Sequence, residues 1–190
     1  MPESAGKLRL FFALQPAPDQ TSALIESAAP LVTELQAQPV PAENLHATLC
    51  FIGATAPEDL DKLKDVAARQ HGQHATLRFN ALEFWQKPRV LCATADEDCG
   101  SAPARTLAEN LASAAVAAGF KPDVKPFRLH LTLARKVLPK LAAQAEWPRP
   151  LAHSFVMRCD RFVLMESRSG ESGSIYSVVD SWPLYAADTD

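Results

Sequence analysis

Three stretches of this 190-residue chain share one pattern: His46-Ala47-Thr48-Leu49, His74-Ala75-Thr76-Leu77 and His130-Leu131-Thr132-Leu133. An imidazole gives or takes a proton near neutral pH, and a threonine hydroxyl donates a hydrogen bond to an anionic oxygen. Two such pairs facing each other would place an acid, a base and two hydroxyl donors around a phosphodiester, as in-line displacement at phosphorus requires. With five His, nine Thr and 23 Leu in the chain, His-x-Thr-Leu should arise about 0.03 times by chance. Since His74 to Leu77 repeats the letters of His46 to Leu49, only context separates the copies.

The surrounding elements supply that context. Leu8 to Leu14 (LRLFFAL) is a short apolar run ended by Gln15-Pro16 and predicts a buried strand. Pro18 to Gln36 carries Leu24, Ala28, Leu31 and Leu35 at helical spacing, with Pro30 expected to kink or divide the helix. Pro39 and Pro41 impose an extended approach to His46. Leu45 to Ile52 predicts a strand, and strict alternation puts His46, Thr48 and Cys50 on one face, with Leu45, Ala47, Leu49 and Phe51 on the other. Gly53 should end it, and Thr55, Pro57 and Glu58 should form a capping box for the next helix.

The order then recurs. After a strand from Ala75 to Phe84 and a turn at Lys87-Pro88-Arg89, Val90 to Ala95 is a second apolar strand. Pro103 opens a helix with Ala104, Leu107, Leu111, Ala114 and Ala118 on one face, Gly119 caps it, and Pro122 and Pro126 lead into a strand from Arg128 to Ala134. That strand sets His130 and Thr132 on one face. His46 lies 38 residues after Leu8, and His130 lies 40 after Val90. His74 directly follows a helix and lacks this frame, so His46 and His130 are taken as the pair and His74 as a coincidental strand residue.

Strands near Ser154 to Met165 and Ser174 to Val179 complete the sheets. The expectation is an α+β fold: one domain, internally duplicated over approximate halves 1–86 and 87–190, with two pseudo-symmetric lobes of mostly antiparallel sheet, outer helices and a central cleft.

The segments NLHATLCFIG and PFRLHLTLAR, the early LRLFFAL strand, the Trp85 to Arg89 turn, and Ser167-Arg168-Ser169 followed by Tyr176 resemble the two-histidine (2H) phosphoesterase superfamily. The likeness is to its RNA 2′,3′-cyclic phosphodiesterases, once called 2′-5′ RNA ligases. It implies hydrolysis of an RNA 2′,3′-cyclic phosphate to a 2′-phosphomonoester, with weak reverse 2′-5′ joining. It further implies that His46 is the proton donor and His130 the proton acceptor, that Thr48 and Thr132 hold phosphate oxygens, and that Arg135 binds phosphate. From the residues alone the two histidines cannot be oriented. Strict alternation puts residues 130, 132 and 134 on one face, so Arg135 reaches the cleft only if the strand twists, bulges or ends there. Phe12 and Tyr176 are candidate base contacts, as are Phe11, Trp85 and Phe127, although strand aromatics are usually core.

Other readings stay open: a phosphodiesterase acting on another cyclic or 2′-5′-linked nucleotide, a non-catalytic RNA-end-binding module, or a metal hydrolase built on His71 and His74. No Cys or carboxylate completes a metal set near that last pair, and the proposed chemistry needs neither metal nor cofactor. Cys50, Cys92, Cys99 and Cys159 show no paired spacing and suit reduced thiols. A seven-residue apolar run is a strand rather than an export signal, and no stretch is long enough to span a bilayer, so a cytoplasmic monomer is expected. The net charge of −3 disfavours coating long nucleic acid. An RNA terminus or a small cyclic nucleotide would instead be held by local cations drawn from Arg9, Lys87, Arg89, Arg128, Arg135 and Arg168. His153 reads as a surface residue, and Ala187 to Asp190 as a frayed tail.

Overall fold

The computed structural model describes residues 6–95, 100–123, 125–170 and 173–186; Cys99 and the 187–190 tail lie outside the described residues. The elements run β1 (Leu8–Leu14), α1 (Pro18–Glu34), β2 (Gln38–Pro39), β3 (Ala47–Thr55), α2 (Leu60–Ala68), β4 (Ala75–Trp85), β5 (Val90–Thr94), α3 (Ala102–Ala117), β6 (His130–Arg135), α4 (Pro139–Ala142), β7 (Arg149–Cys159), β8 (Arg161–Gly170) and β9 (Gly173–Pro183). The fold is α+β. Its strands form two antiparallel sheets, ordered β3-β1-β8-β9 and β2-β6-β5-β4-β7.

In β1 the apolar run is continuous because both faces are covered. Leu10, Phe12 and Leu14 enter the main core, while Phe11 and Ala13 pack with Val163 and Met165 on the opposite side. Phe12, a candidate base contact from the sequence, is fully buried with Phe162 and Trp182 at ring distances of 6.2 and 6.1 Å. The alternation of the strand hands the cleft-facing position to Phe11 instead.

The helices differ from expectation in instructive ways. Helix α1 runs unbroken through Pro30, with Leu24, Ala28 and Leu31 buried. Pro30 deprives the Glu26 carbonyl of its helical donor, but both residues are exposed and water can satisfy it. Thr55 ends β3, its hydroxyl donating to the Gly53 carbonyl at 3.4 Å, and Ala56 precedes a short 3₁₀ turn, so the expected capping box does not form. Helix α3 ends as expected. Gly119, at φ 89°, lets its own N–H reach the Val116 carbonyl (2.9 Å) and the Phe120 N–H reach Ala115 (2.9 Å), a left-handed cap that favours glycine.

Each sheet draws strands from both parts of the chain. The β3-β1 pair is joined by β8 and β9 from the C-terminal end, while β4 from the first half completes the sheet around β5 and β6. Helix α1, which follows β1, packs on β6 and β7 of the other sheet, and α3, which follows β5, packs on β3. This exchange interlocks the two sheets and opens a cleft beside the two motif strands. No described helix is long and apolar enough to cross a membrane.

Candidate active site

His46 stands just before β3 and His130 opens β6. Each ring is fixed in the same way: Nδ1 donates to the carbonyl two residues earlier, Asn44 for His46 (2.7 Å) and Arg128 for His130 (2.8 Å). A carbonyl only accepts, so in the neutral ring this bond places the proton on Nδ1 and leaves Nε2 with a free lone pair. Both histidines line one cavity of about 320 Å³, together with Thr48, Thr132, Arg135 and Tyr176. The Thr48 hydroxyl has no hydrogen-bond partner among the described residues, and Thr132 has only a long 3.9 Å contact with the Cys92 thiol, so both hydroxyls can serve a ligand. Burial pushes that thiol up to about 12, which keeps it protonated beneath the cleft.

A bulge follows each motif threonine. Against β1, Phe12 pairs with Cys50 and Ala13 with Thr48, leaving Leu49 unpaired; against β5, Leu91 pairs with Ala134 and Cys92 with Thr132, leaving Leu133 unpaired. An extra residue reverses the alternation beyond it. Cys50 therefore joins the core rather than the face of His46 and Thr48, and Phe51 turns to the cleft. The second bulge does the same for Arg135, whose Nη2 donates to Tyr176 Oη at 3.0 Å. Residues 51 and 135 thus occupy matching places in the two strands.

The walls around the histidines are aromatic. Phe11 and Tyr176 each lie 4.9 Å from His46, and Phe51 stacks on Phe11 at 5.6 Å with Arg9 above it at 5.4 Å. Trp85 lies 4.5 Å from His130 and carries the Arg128 guanidinium at 4.5 Å; Arg128 in turn pairs with Glu83 at 2.6 Å. Burial lowers the pKa of His46 to about 4, opposed by the Asn44 hydrogen bond and reinforced by the charges of Arg135 and His130. His130 is lowered too, by burial first and then by Arg128 and Arg135, against the bond to the Arg128 carbonyl. Both shifts favour the neutral ring at pH 7.

His74 is elsewhere. It lines a separate cavity of about 600 Å³ with Thr76, Arg158 and Arg161. His71, its partner in the metal reading, packs against Tyr185, and among the described residues no three His, Cys, Asp or Glu group as a metal site. His153 is exposed on β7 and Phe127 borders a small cavity behind β3. Of the sequence-nominated cations, Arg9 and Arg135 line the cleft, Arg128 stacks behind it, Arg89 borders the adjoining cavity and Lys87 is exposed on the turn. Arg168 is held by both oxygens of Glu166 at 2.9 and 2.8 Å. Sequence reasoning missed Phe51 and Ser174, both on the cleft. Alternation from Tyr176 points to Ser174, whereas nothing in the letters marks the bulge that turns Phe51.

A family model described as LigT like Phosphoesterase matches the chain twice, over residues 13–92 and 97–176. The chain is 27% identical over 179 residues to the RNA 2′,3′-cyclic phosphodiesterase of Escherichia coli (strain K12), covering 93% of this chain and 96% of that protein. Among solved structures it is similar to a phosphoesterase (26% identity, TM-score 0.81, covering 94% of this chain and 99% of the other). It is also similar to E. coli LigT complexed with 3′-AMP (26% identity, TM-score 0.79, covering 94% and 98%).

Proposed function

From the premise that this chain belongs to the LigT-like phosphoesterases of the 2H superfamily, we propose that it hydrolyses RNA 2′,3′-cyclic phosphate ends to 2′-phosphomonoesters. The observation that carries this reading is the pair of carbonyl-tethered histidines in one cavity, each two residues before a threonine with a usable hydroxyl.

Water attacks phosphorus opposite the 3′ oxygen. His130 Nε2 takes the proton of the attacking water, and protonated His46 delivers a proton to the departing 3′ oxygen as the P–O3′ bond breaks. Thr48, Thr132 and Arg135 donate to the non-bridging oxygens, where charge accumulates. The substrate offsets the low proton affinity of His46, because a phosphate anion beside the imidazole favours its charged form. Reverse 2′-5′ joining uses the same groups with their roles exchanged. The name of the E. coli relative and the 3′-AMP complex of LigT support an RNA-end substrate. Internal duplication is part of the same reading, supported by the matching bulges and the twofold family match.

The test is turnover, with excess EDTA, of a short RNA ending in 2′,3′-cyclic phosphate, with the 2′- and 3′-monoesters resolved. The 2′-monoester is expected. His46→Ala and His130→Ala should each lower turnover by about 10² to 10⁴-fold, the usual worth of a positioned acid or base, and His74→Ala should leave it near wild type. Equal losses in all three folded variants, or a 3′-monoester product, would overturn the reading.

A further inference from the structure

A second cavity, of about 290 Å³, adjoins the cleft and shares Pro88, Val90, Arg135, Ser174 and Tyr176 with it. The Arg135 to Tyr176 hydrogen bond joins two of those shared residues. Asn44, whose carbonyl holds His46 at 2.7 Å, also borders this second space. Arg89 and Lys136 line it as well, so three cations border the cavity and no carboxylate among the described residues does.

Neither Arg89 nor Lys136 is in an ion pair with a described residue, whereas Arg128, Arg149, Arg161 and Arg168 each meet a carboxylate. Both have left-handed backbones, at φ 65° and 56°, a conformation that costs free energy in a long non-glycine residue and collects at ligand sites. The two turns are clipped together by the Val137 N–H, which donates to the Arg89 carbonyl at 3.1 Å, while the Arg89 N–H donates to Trp85 at 2.9 Å. The fold therefore holds two unneutralised cations on one rim, next to the place where the reacting phosphate would sit.

We propose that this cavity binds the 5′-phosphate group of the terminal nucleoside, so that the protein selects substrates carrying a phosphate one step upstream of the cyclic one. The proposal rests on the cyclic-phosphate reading above. The shared chemistry is a phosphate on the 5′ oxygen, supplied either by the next phosphodiester of an RNA chain or by a free 5′-phosphate. Arg89 and Lys136 contact it through charge-assisted hydrogen bonds, and the selection follows from a negative group entering a cavity that offers positive ones alone.

The test compares kcat/KM of the full chain on adenosine 2′,3′-cyclic phosphate, the same nucleotide with a 5′-phosphate, and the dinucleotide ApA ending in 2′,3′-cyclic phosphate. The last two should exceed the first by about tenfold, the scale of two partly exposed charge-assisted contacts. In Arg89→Gln/Lys136→Gln both ratios should fall to about one. In the wild-type protein, raising salt from about 50 to about 300 mM should erode the same ratios, a readout that does not depend on the variant folding. Equal rates on all three substrates, ratios retained in the folded double variant, or a gain confined to the dinucleotide would overturn the phosphate site while leaving the reaction intact. No turnover of any of the three would bring down the cyclic-phosphate reading and this proposal with it.

Discussion

His46 is walled by Phe11 and Tyr176, each 4.9 Å away, whereas His130 lies 4.5 Å from Trp85, a ring that carries the Arg128 guanidinium on the far side of a pair with Glu83. The backbone treats the two histidines alike, with a carbonyl tether two residues back, a threonine two residues on and a bulge after it. Their surroundings do not. Around His46, packed by neutral rings, burial is the largest influence taking the pKa to about 4, with Arg135 and His130 adding to it; His130 is lowered in the same sense, with a cation and a carboxylate close by. A repeated strand motif can therefore deliver two imidazoles held alike by the backbone, while the packing around each gives its proton affinity different causes.

The sharpest way to break this comparison is to remove the need for an acid. On an RNA end whose bridging 3′ oxygen is replaced by sulfur, the departing thiolate needs no proton. His46→Ala should then recover most of its 10² to 10⁴-fold loss, while His130→Ala should recover little. The opposite pattern in a turnover assay would exchange the two roles.

The matching positions 51 and 135 offer the next test. Arg135→Ala should reduce kcat/KM by about 10² to 10³-fold, the worth of one donor to the developing charge, and Phe51→Ala by less than about tenfold. Similar losses at both positions would remove the distinction between a phosphate-binding wall and an aromatic one.

Stability against pH separates the walls more gently. His46 has a folded pKa of about 4, below its unfolded value near 6.5, so the unfolded chain binds more protons between these values. Its contribution is complete above about pH 6.5 and is lost as pH falls toward 4. Between pH 7 and 4.5 this amounts to about 2 kcal/mol at most, and His46→Gln should flatten that part of a urea-midpoint profile. The smallest expected effect is at the other wall. Arg128→Gln removes a cation that lowers His130, so the limb of the kcat/KM profile governed by His130 should move to higher pH. A limb that stays in place would show that the Glu83 carboxylate already cancels the Arg128 charge.

Much of the architecture is legible in local patterns. The LRLFFAL run, the Pro103-to-Gly119 helix and the proline-marked leads into His46 and His130 all appear where alternation, helical spacing and capping chemistry put them. That His46 and His130 line one cavity while His74 does not was legible too, because strand and helix recur ahead of each of the pair at nearly equal length. Besides the break at Pro30 and the capping box at Thr55, what failed were inferences that carried strict alternation past a bulge or chose a face without a partner strand. Cys50 was expected beside Thr48 and lies in the core. Of the two neighbouring candidate base contacts, Phe12 packs under Trp182 and Phe11 takes the cleft.

Residue types and short-range periodicity specify which groups can transfer protons, where strands and helices form, and which faces are apolar, because propensity and spacing act within a few residues along the chain. The sheet exchange that interlocks the two parts, the two bulges that turn Phe51 and Arg135 into the cleft, and the unlike environments of His46 and His130 arise from contacts between residues far apart in the chain. Those contacts set burial and charge, and burial and charge set the proton affinity of each imidazole.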